Sequence, residues 1–336
     1  PGGYGGMDIW VSNRDEKGNW SKPENMGPTI NTAGDESTPF IHADNQTLYF
    51  NSNGHPGYSE KPDLFVTRKT KDGKWSKPEN LGYPINTTDD EGSLFIAADG
   101  HTAYYSSDRG DSKGGLDIYT FQLPENVRPL KTLWVQGKVF DKKTLEGLPS
   151  LVELTELQSG NPVSKLQTDE DGEFLVTLPV GKDYAFTVRR KGYLFYSQNY
   201  NISQTDPDSV YHADIALQPI EVNATILLNN IFFDTKKTEL KPESIVELNN
   251  IAELLIENPT LKIQIIGYTD NVGKAADNLA LSKGRAVAVV NYLTEQGIKS
   301  DRLSFIGKGE ADPIADNATE EGRAKNRRTE LKVISK

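Results

Sequence analysis

Two spacings of apolar residues divide this chain into a β-rich part and a mixed part. Up to about residue 219, apolar and polar residues alternate in short runs such as Phe174–Leu178 and Tyr184–Val188, separated by turn residues such as Asp171-Gly172. A period of two predicts half-buried strands. After residue 222, apolar residues also recur at helical spacing, so this last part is expected to combine strands with helices.

The mixed part alternates strand and helix signals. Strands are predicted at Ile226–Leu228, at Ile231–Phe233, up to Ile266, around Leu303–Phe305 and from Thr329 to Ile334. Helices are predicted from Pro242 to Asn258 (with Ile245, Leu248, Ile251 and Leu255 as the apolar stripe), from near Asn278 to Gly297, and from near Thr319. This order predicts a small α/β sandwich with helices packed on a sheet.

Residues 1–123 contain an internal repeat. Trp20–Asn25 recurs letter for letter as Trp75–Asn80, and the other matched positions share the same offset of 55 residues. A constant offset of this size is typical of repeat architectures. Within each unit, two strand patterns flank a turn such as Asp99-Gly100, which predicts a hairpin.

This repeat resembles the WD40-like propeller repeats of bacterial envelope proteins. The resemblance implies that residues 1–123 form the C-terminal blades of a β-propeller. Because a closed propeller needs about four to eight blades, we expect further blades before Pro1. The blades are interpreted as a docking surface for protein partners, with a solvated scaffold as the alternative.

After a linker at residues 124–133, a second β-rich segment is predicted at residues 134–219. Its pattern Gly137-x-Val139-x-Asp141, followed by turn signals, resembles the carboxypeptidase-regulatory-like domain. The resemblance implies a small antiparallel β-sandwich without catalytic machinery. A rigid spacer is the expected role, and a carbohydrate or protein contact is the alternative.

The candidate site lies in the mixed part. An apolar strand runs into Gly267, and the polar loop that follows contains Asp270. The next helix places Asn278, Leu281 or Ser282, and Arg285 on one face. The loop can bring Asp270 beside this face, and such a carboxylate and guanidinium can bind a ligand with an ammonium and a carboxylate on one carbon. An ordinary surface ion pair is the alternative interpretation.

Residues 222–336 resemble the OmpA-like C-terminal domain. The resemblance rests on G-x-T-D-x-x-G from Gly267, N-x-x-L-S-x-x-R-A from Asn278, and Gly322-Arg323-x-x-Asn326-Arg327-Arg328. That family, which includes the peptidoglycan-associated lipoproteins, binds the diaminopimelate of the cell-wall peptide stem. It implies that Asp270 and Arg285 hold the zwitterionic end of diaminopimelate. The other residues implied at the site are Thr269, Asn278 and Leu281 as its lining, Phe233, Asp234 and Thr235 as its other wall, and Arg327 and Arg328 as secondary residues.

Composition narrows the function classes. The formal net charge is −11, which argues against nucleic-acid binding. The chain has no cysteine, and its four histidines are scattered, so no metal site or other cofactor is expected. No nucleophile elbow, zinc-protease motif or P-loop occurs, and no apolar run approaches the about 18 residues of a membrane span.

Together these features predict a non-enzymatic periplasmic adaptor that binds peptidoglycan, tethered to the outer membrane by a part outside this sequence. The order of the three segments resembles PorE-type envelope proteins of Bacteroidota, which tie a type IX secretion apparatus to the wall. Two alternatives remain. One is a protein–protein scaffold without wall binding, and the other is a propeller-associated hydrolase completed by residues before Pro1.

Overall fold

The computed structural model describes residues 2–13, 19–70, 72–97, 99–201 and 210–336. They form several β-sheets and a C-terminal domain that mixes strands and helices. Two compact units are present. The first contains the described residues of Pro1–Gln136, Leu175–Gly181 and Ser203–His212, and the second contains those of Gly137–Phe174, Lys182–Ile202 and Ala213–Lys336.

The repeat units form three successive antiparallel sheets. The strands are β1 (Trp10–Val11) and β2 (Glu24–Asn25) in the first sheet, β3 (Glu36–Ile41), β4 (Thr47–Ser52), β5 (Asp63–Arg68) and β6 (Glu79–Asn80) in the second, and β7 (Glu91–Ile96), β8 (Thr102–Ser107) and β9 (Asp117–Gln122) in the third. Phe40 pairs with Tyr49, and Phe95 pairs with Tyr104 in the same way. The sequence repeat is therefore also a repeat of strand register. The structure shows these sheets, and their membership of a propeller remains a prediction.

The predicted sandwich contains two four-stranded sheets. Its strands are β10 (Thr132–Asp141), β11 (Leu151–Glu156), β12 (Pro162–Gln167), β13 (Glu173–Pro179), β14 (Asp183–Arg189), β15 (Tyr196–Asn201), β16 (Val210–His212) and β17 (Ile215–Leu217). One sheet has the order β12-β11-β14-β15 and is antiparallel throughout. In the other sheet, β10 pairs with β13, and β16 and β17 pair with β10 in parallel.

One expectation for this segment is corrected. The antiparallel prediction is wrong for the pairing of β10 with β16 and β17, because strands β11 to β15 act as the crossover that brings the chain back parallel to β10. The role of residues 124–133 as a linker remains a prediction. These residues contain a 3₁₀ turn at Glu125–Val127 and the start of β10, and Val127 is buried.

The C-terminal domain has one mixed sheet with its helices. Its elements are β18 (Thr225–Leu227), α1 (Ile245–Glu257), β19 (Lys262–Gly267), α2 (Ala275–Glu295), β20 (Leu303–Gly307), α3 (Glu320–Asn326) and β21 (Thr329–Ser335). The sheet order is β18-β21-β19-β20, in which only β19 and β20 run parallel. The apolar faces of the helices and sheet share one core, which includes Leu248, Ile251, Leu255, Ile263, Ile265, Ala286, Val289, Leu293, Leu331 and Val333.

Three local predictions differ from the structure. The segment Ile231–Phe233 is a loop with one bridge between Phe233 and Leu240, because the Phe232 N–H and C=O bond to Ser244 instead of a neighbouring strand. Ile245 is 46% exposed at the start of α1 and does not join the core stripe. Helix α2 begins at Ala275, three residues before Asn278.

Two glycines place α2 directly over the ends of β19 and β20. A Cβ atom on Gly267 would lie 2.2 Å from the carbonyl oxygen of Ser282, and one on Gly307 would lie 2.4 Å from the Lys283 nitrogen. Real Cβ atoms do not approach that closely, so only glycine permits this packing. The first turns of α2 consequently lie beside the loop that follows Gly267.

Candidate ligand-binding site

Asp270 is a buried carboxylate in the loop after β19. Its Oδ1 accepts a hydrogen bond from the Val272 N–H at 3.0 Å, and its Oδ2 accepts one from Arg327 Nη1 at 2.7 Å. The side chain of Asp270 is only 11% exposed. The hydrogen bond from Arg327 to this carboxylate raises the pKa of the Arg327 guanidinium, so the two groups form a charged pair with a fixed geometry.

Thr269 and Asn278 lie directly beside Asp270. The Thr269 N–H donates to the carbonyl of Gly309 at 2.8 Å, while its Oγ1 is buried without a hydrogen-bond partner. Asn278 Nδ2 donates to the main-chain oxygen of Asp270 at 3.3 Å and to Glu310 Oε2 at 3.2 Å. Asn278 thus fixes the loop to α2, and the Thr269 hydroxyl lies buried beside it.

Arg285 lies on α2, two turns after Asn278, and is held by main-chain oxygens. Its Nε donates to the Lys237 carbonyl at 3.1 Å and its Nη2 to the Asp234 carbonyl at 3.3 Å. Its guanidinium lies 5.0 Å from the centroid of the Phe233 ring, within the range of a cation–π contact. Among the residues that the structure describes, no carboxylate forms an ion pair with Arg285.

The charges around Arg285 connect it with Asp270 and Arg327. Burial lowers the pKa of Arg285, the positive charge of Arg327 lowers it further, and the negative charge of Asp270 opposes both effects. The three charged groups therefore share one electrostatic environment. The direct ion pair, however, is formed by Asp270 and Arg327. The ordinary surface ion pair between Asp270 and Arg285, which was the alternative interpretation, is absent from the described residues.

The other predicted residues differ in their contacts. Phe233 and Asp234 contact Arg285 through a ring face and a main-chain oxygen, as described above, and the Asp234 carboxylate pairs with Lys237 at 3.1 Å. Leu281 is half-buried on α2 and Thr235 is exposed. Neither of these two residues makes a polar contact with Arg285 among the described atoms, so their place at the site remains a prediction.

Arg327 is held from a second side by α3. Thr319 Oγ1 caps this helix by accepting a hydrogen bond from the Gly322 N–H at 3.0 Å. Arg327 Nη2 donates to Glu320 Oε1 at 2.7 Å, and Glu320 Oε2 accepts from Arg323. The family resemblance implied Arg327 as a secondary residue of the site, and Glu320 was not predicted. The spacing of seven residues between Glu320 and Arg327, two helical turns, was the signal available.

Arg328 is packed into the domain rather than turned to the same carboxylate. Its guanidinium lies 3.6 Å from the Tyr268 ring centroid, its Nε donates to Glu330 Oε1 at 2.6 Å, and its Nη2 donates to the Asp312 carbonyl at 2.9 Å. The Arg328 side chain is 8% exposed. Arg328 thus supports the loop after β19 by packing against Tyr268, the residue before Thr269.

Residues 232–327 match the OmpA family. The C-terminal domain is an OmpA family domain. The match contains Asp270, Arg285 and Arg327, and it ends one residue before Arg328. It covers less than a third of the chain, so it describes this domain and not the repeat units or the sandwich.

Curated relatives match the same part of the chain. A probable lipoprotein YiaD of Escherichia coli is 42% identical over 103 residues, which are 31% of this chain and 47% of that protein. The peptidoglycan-binding protein ArfA of Mycobacterium tuberculosis is 43% identical over 103 residues, 31% of this chain and 32% of that protein. Outer membrane protein A of Bordetella avium is 39% identical over 118 residues, 35% of this chain and 61% of that protein. The chain thus spans less than two thirds of the length of each.

Among solved structures, the peptidoglycan-associated lipoprotein of Burkholderia pseudomallei is similar to this chain. It is 30% identical with a TM-score of 0.30, and the match covers 31% of this chain and 87% of that one. Within the described ranges, no helix has the length and apolar character needed to cross a bilayer. The same residues contain no cluster of three or more acidic or histidine side chains suited to a metal ion.

Proposed function

We propose that the OmpA family domain binds peptidoglycan non-covalently through the diaminopimelate of its peptide stem, and so anchors an envelope protein or secretion complex to the cell wall. One observation carries this proposal. The Arg285 guanidinium forms no ion pair with a described carboxylate, yet it lies in the electrostatic environment of the buried Asp270 carboxylate. The name of the relative ArfA, a peptidoglycan-binding protein, supports it.

The free end of diaminopimelate has an ammonium and a carboxylate on one carbon, and the site offers a group for each. An ionised carboxylate has about four acceptor positions, and Asp270 uses two of them within the protein. Arg285 is oriented by its Nε and Nη2 bonds to main-chain oxygens, and its Nη1 has no partner among the described atoms. Asp270 is therefore assigned to the ammonium and Arg285 to the carboxylate.

The remaining residues shape and support this site. Thr269 supplies a hydroxyl without an internal partner, and Asn278 keeps the loop against α2. Phe233, Asp234 and Thr235 form the proposed wall next to Arg285, and Leu281 adds apolar surface. Arg327 holds the Asp270 carboxylate in its orientation through the Nη1 hydrogen bond. Binding of this kind uses charge-assisted hydrogen bonds and breaks no covalent bond, so the proposed role is not enzymatic.

The proposed location is the periplasm, in association with the cell wall. The relatives include proteins named as a lipoprotein and as an outer membrane protein, which supports this location. We further propose that residues 1–123 are propeller blades that bind protein partners, and that residues 134–219 act as a spacer. The most specific version of the proposal is a PorE-type role, in which the protein ties a secretion apparatus to the wall. The order of the three segments supports it.

Sedimentation of the full chain with purified peptidoglycan tests the proposal. Asp270→Ala and Arg285→Ala are each expected to weaken retention at least tenfold, because truncating one partner of a desolvated charge pair costs about 2–5 kcal/mol and ~1.4 kcal/mol is one decade. The matched control is Lys299→Ala, an exposed residue in the segment after α2. Retention of both variants at the level of the parent protein contradicts the proposal.

Comparing two types of peptidoglycan tests whether diaminopimelate is the group that is bound. Peptidoglycan with lysine in place of diaminopimelate lacks the terminal carboxylate that Arg285 is proposed to bind, so it should be retained more weakly. Equal retention of both kinds would show that the protein reads the glycan instead.

A further inference from the structure

The first two repeat units contain the same side-chain clamp on a strand residue. Asn31 Oδ1 accepts from the Ile9 N–H at 2.8 Å, and Asn31 Nδ2 donates to the Ile9 carbonyl at 2.9 Å. Asn86 bonds to the N–H and C=O of Leu64 in the same way, at 2.8 Å each. One amide side chain thus satisfies both backbone groups that a neighbouring strand would otherwise pair.

A second asparagine completes the clamp. Asn80 Oδ1 accepts from Asn86 Nδ2 at 2.7 Å and from the Gly82 N–H at 2.8 Å, while Asn80 Nδ2 donates to Asp63 Oδ2 at 2.8 Å. In the first unit, Asn25 makes the equivalent bonds to Asn31, Gly27 and Asp8, at 2.8, 2.8 and 2.6 Å. Both clamps are carried by a segment of the form Glu-Asn-x-Gly-x-x-Ile-Asn, at residues 24–31 and 79–86.

The third unit has the strand that this clamp holds. Asp117 Oδ2 accepts from the Lys113 N–H at 2.6 Å, as Asp63 Oδ2 accepts from the Tyr58 N–H at 2.8 Å. Asp117 pairs with Ser107 of β8 as Asp63 pairs with Ser52 of β4. Strand β9 is therefore equivalent to β5, and Ile118 is equivalent to Leu64.

The clamp itself is missing from the third unit, within the described part of the chain. Strand β9 is the edge of its sheet, whereas β5 is covered by β6. Ile118 is 82% exposed, although its equivalents Ile9 and Leu64 are 5% and 0% exposed. Because the register is shared, the Ile118 N–H and C=O point away from β8, toward the uncovered side. An uncovered edge of this kind is a template for another strand.

We propose that the edge of β9 at Asp117–Tyr119 binds an extended polypeptide segment of the form Glu-Asn-x-Gly-x-x-Ile-Asn. The site continues an interface that this chain already forms twice, with the same atoms offered on the strand side. The second asparagine of the segment pairs with the N–H and C=O of Ile118, and the first donates to Asp117. Its isoleucine covers apolar surface, as Ile30 and Ile85 do where they are buried in the first two units.

A synthetic peptide of residues 20–31 with a fluorescent label is the probe, titrated against the full chain and followed by fluorescence anisotropy. We expect saturable binding of one peptide per chain. A peptide in which both asparagines are alanine is the matched control and is expected to bind at least tenfold more weakly. Absence of saturable binding by the parent peptide overturns the proposal, and so does equal binding of the two peptides.

Two variants of Ile118 separate backbone pairing from apolar adhesion. Ile118→Pro removes the outward N–H and is expected to reduce peptide affinity at least tenfold, since proline is tolerated on an edge strand but cannot donate. Ile118→Thr keeps the N–H and removes apolar surface, so it should lose less affinity than the proline variant. An equal loss for both variants contradicts the proposed backbone pairing.

Two further measurements complete the test. Thermal unfolding of each variant shows whether its fold is retained. If the proline variant is unstable, Asp117→Ala replaces it in the test. This variant leaves the backbone of Ile118 unchanged, and it should also weaken peptide binding. Sedimentation velocity of the chain alone tests the other occupant. A concentration-dependent dimer that Ile118→Pro abolishes would show that a second copy covers this edge, which contradicts the proposal.

Discussion

Asp270 receives its charged hydrogen bond from Arg327, 57 residues later in the chain, at 2.7 Å. The arginine on the facing helix, Arg285, is instead fixed by main-chain oxygens. The two arginines thus have different roles in the proposed site. Arg327 holds the carboxylate in place, and Arg285 is the residue proposed to bind a ligand carboxylate.

Removing Arg327 should weaken peptidoglycan binding without removing either proposed contact to the ligand. In Arg327→Gln, Asp270 keeps its bond from Val272 but loses its charged partner. We expect retention on diaminopimelate-type peptidoglycan to fall about tenfold, equivalent to ~1.4 kcal/mol. Glu320→Gln, which releases only the exposed side of Arg327, is the matched control and should have a smaller effect. Binding of Arg327→Gln that equals the parent protein would exclude this positioning role.

Thr269→Val should separate stability from binding. The Thr269 Oγ1 is buried without a partner, and an unsatisfied polar group costs about 1–3 kcal/mol. The variant is therefore expected to be at least as stable as the parent protein in urea denaturation, while its retention on peptidoglycan falls.

Thr187→Val provides the contrast for this prediction. Thr187 Oγ1 is also buried, but it accepts a hydrogen bond from Asn250 Nδ2 at 3.2 Å. Its loss should lower the free energy of unfolding and leave peptidoglycan retention unchanged. If Thr269→Val binds as well as the parent protein, its hydroxyl does not contact the ligand.

Glu247 should make the stability of the protein depend on pH. This fully buried carboxyl accepts from Ser197 Oγ at 2.5 Å and Asn230 Nδ2 at 3.3 Å through Oε2, while its Oε1 has no partner. Burial raises the pKa of Glu247 to about 7. The folded state therefore keeps a proton that the unfolded state releases near pH 4.5, and stability falls as the pH rises from about 4.5 to about 7.

Glu247→Gln tests this dependence. One pKa unit corresponds to about 1.4 kcal/mol, so the full effect is ~3 kcal/mol. The difference in unfolding free energy between parent and variant, measured by urea denaturation at pH 5 and pH 8, should shift in favour of the variant at the higher pH. A difference that does not change between the two pH values would show that Glu247 titrates normally.

Gly267→Ala should destabilise the C-terminal domain. The added Cβ would meet the Ser282 carbonyl oxygen at 2.2 Å, a main-chain atom of α2 that a side-chain rotation cannot move. Forced overpacking of this kind costs about 1–3 kcal/mol. Gly110→Ala is the matched control, because nothing lies within 4 Å of its Cβ position. Equal unfolding free energies for the two variants would show that α2 adjusts without cost.

Local patterns were sufficient for most elements of the fold. The 55-residue repeat reappears as repeated strand register, since identical letters at identical spacing form the same hairpins. Apart from Ile245, the apolar stripe of α1 was also predicted correctly, as was the strand before Gly267. The errors are non-local. Ile231–Phe233 has the composition of a strand, but its backbone groups are taken by Ser244, which no local spacing indicates.

The sequence by itself determined that this protein has a repeated β-rich part and an OmpA-type domain whose loop and helix carry Asp270 and Arg285, because these features depend on residues close together in the chain. Only the tertiary structure decided that Arg327 pairs with Asp270, that β10 has parallel neighbours and that the buried Glu247 accepts a hydrogen bond from Ser197. Each of these contacts joins residues about 50 or more positions apart. Such partners are selected by how the elements pack, and packing leaves no periodic trace in the sequence.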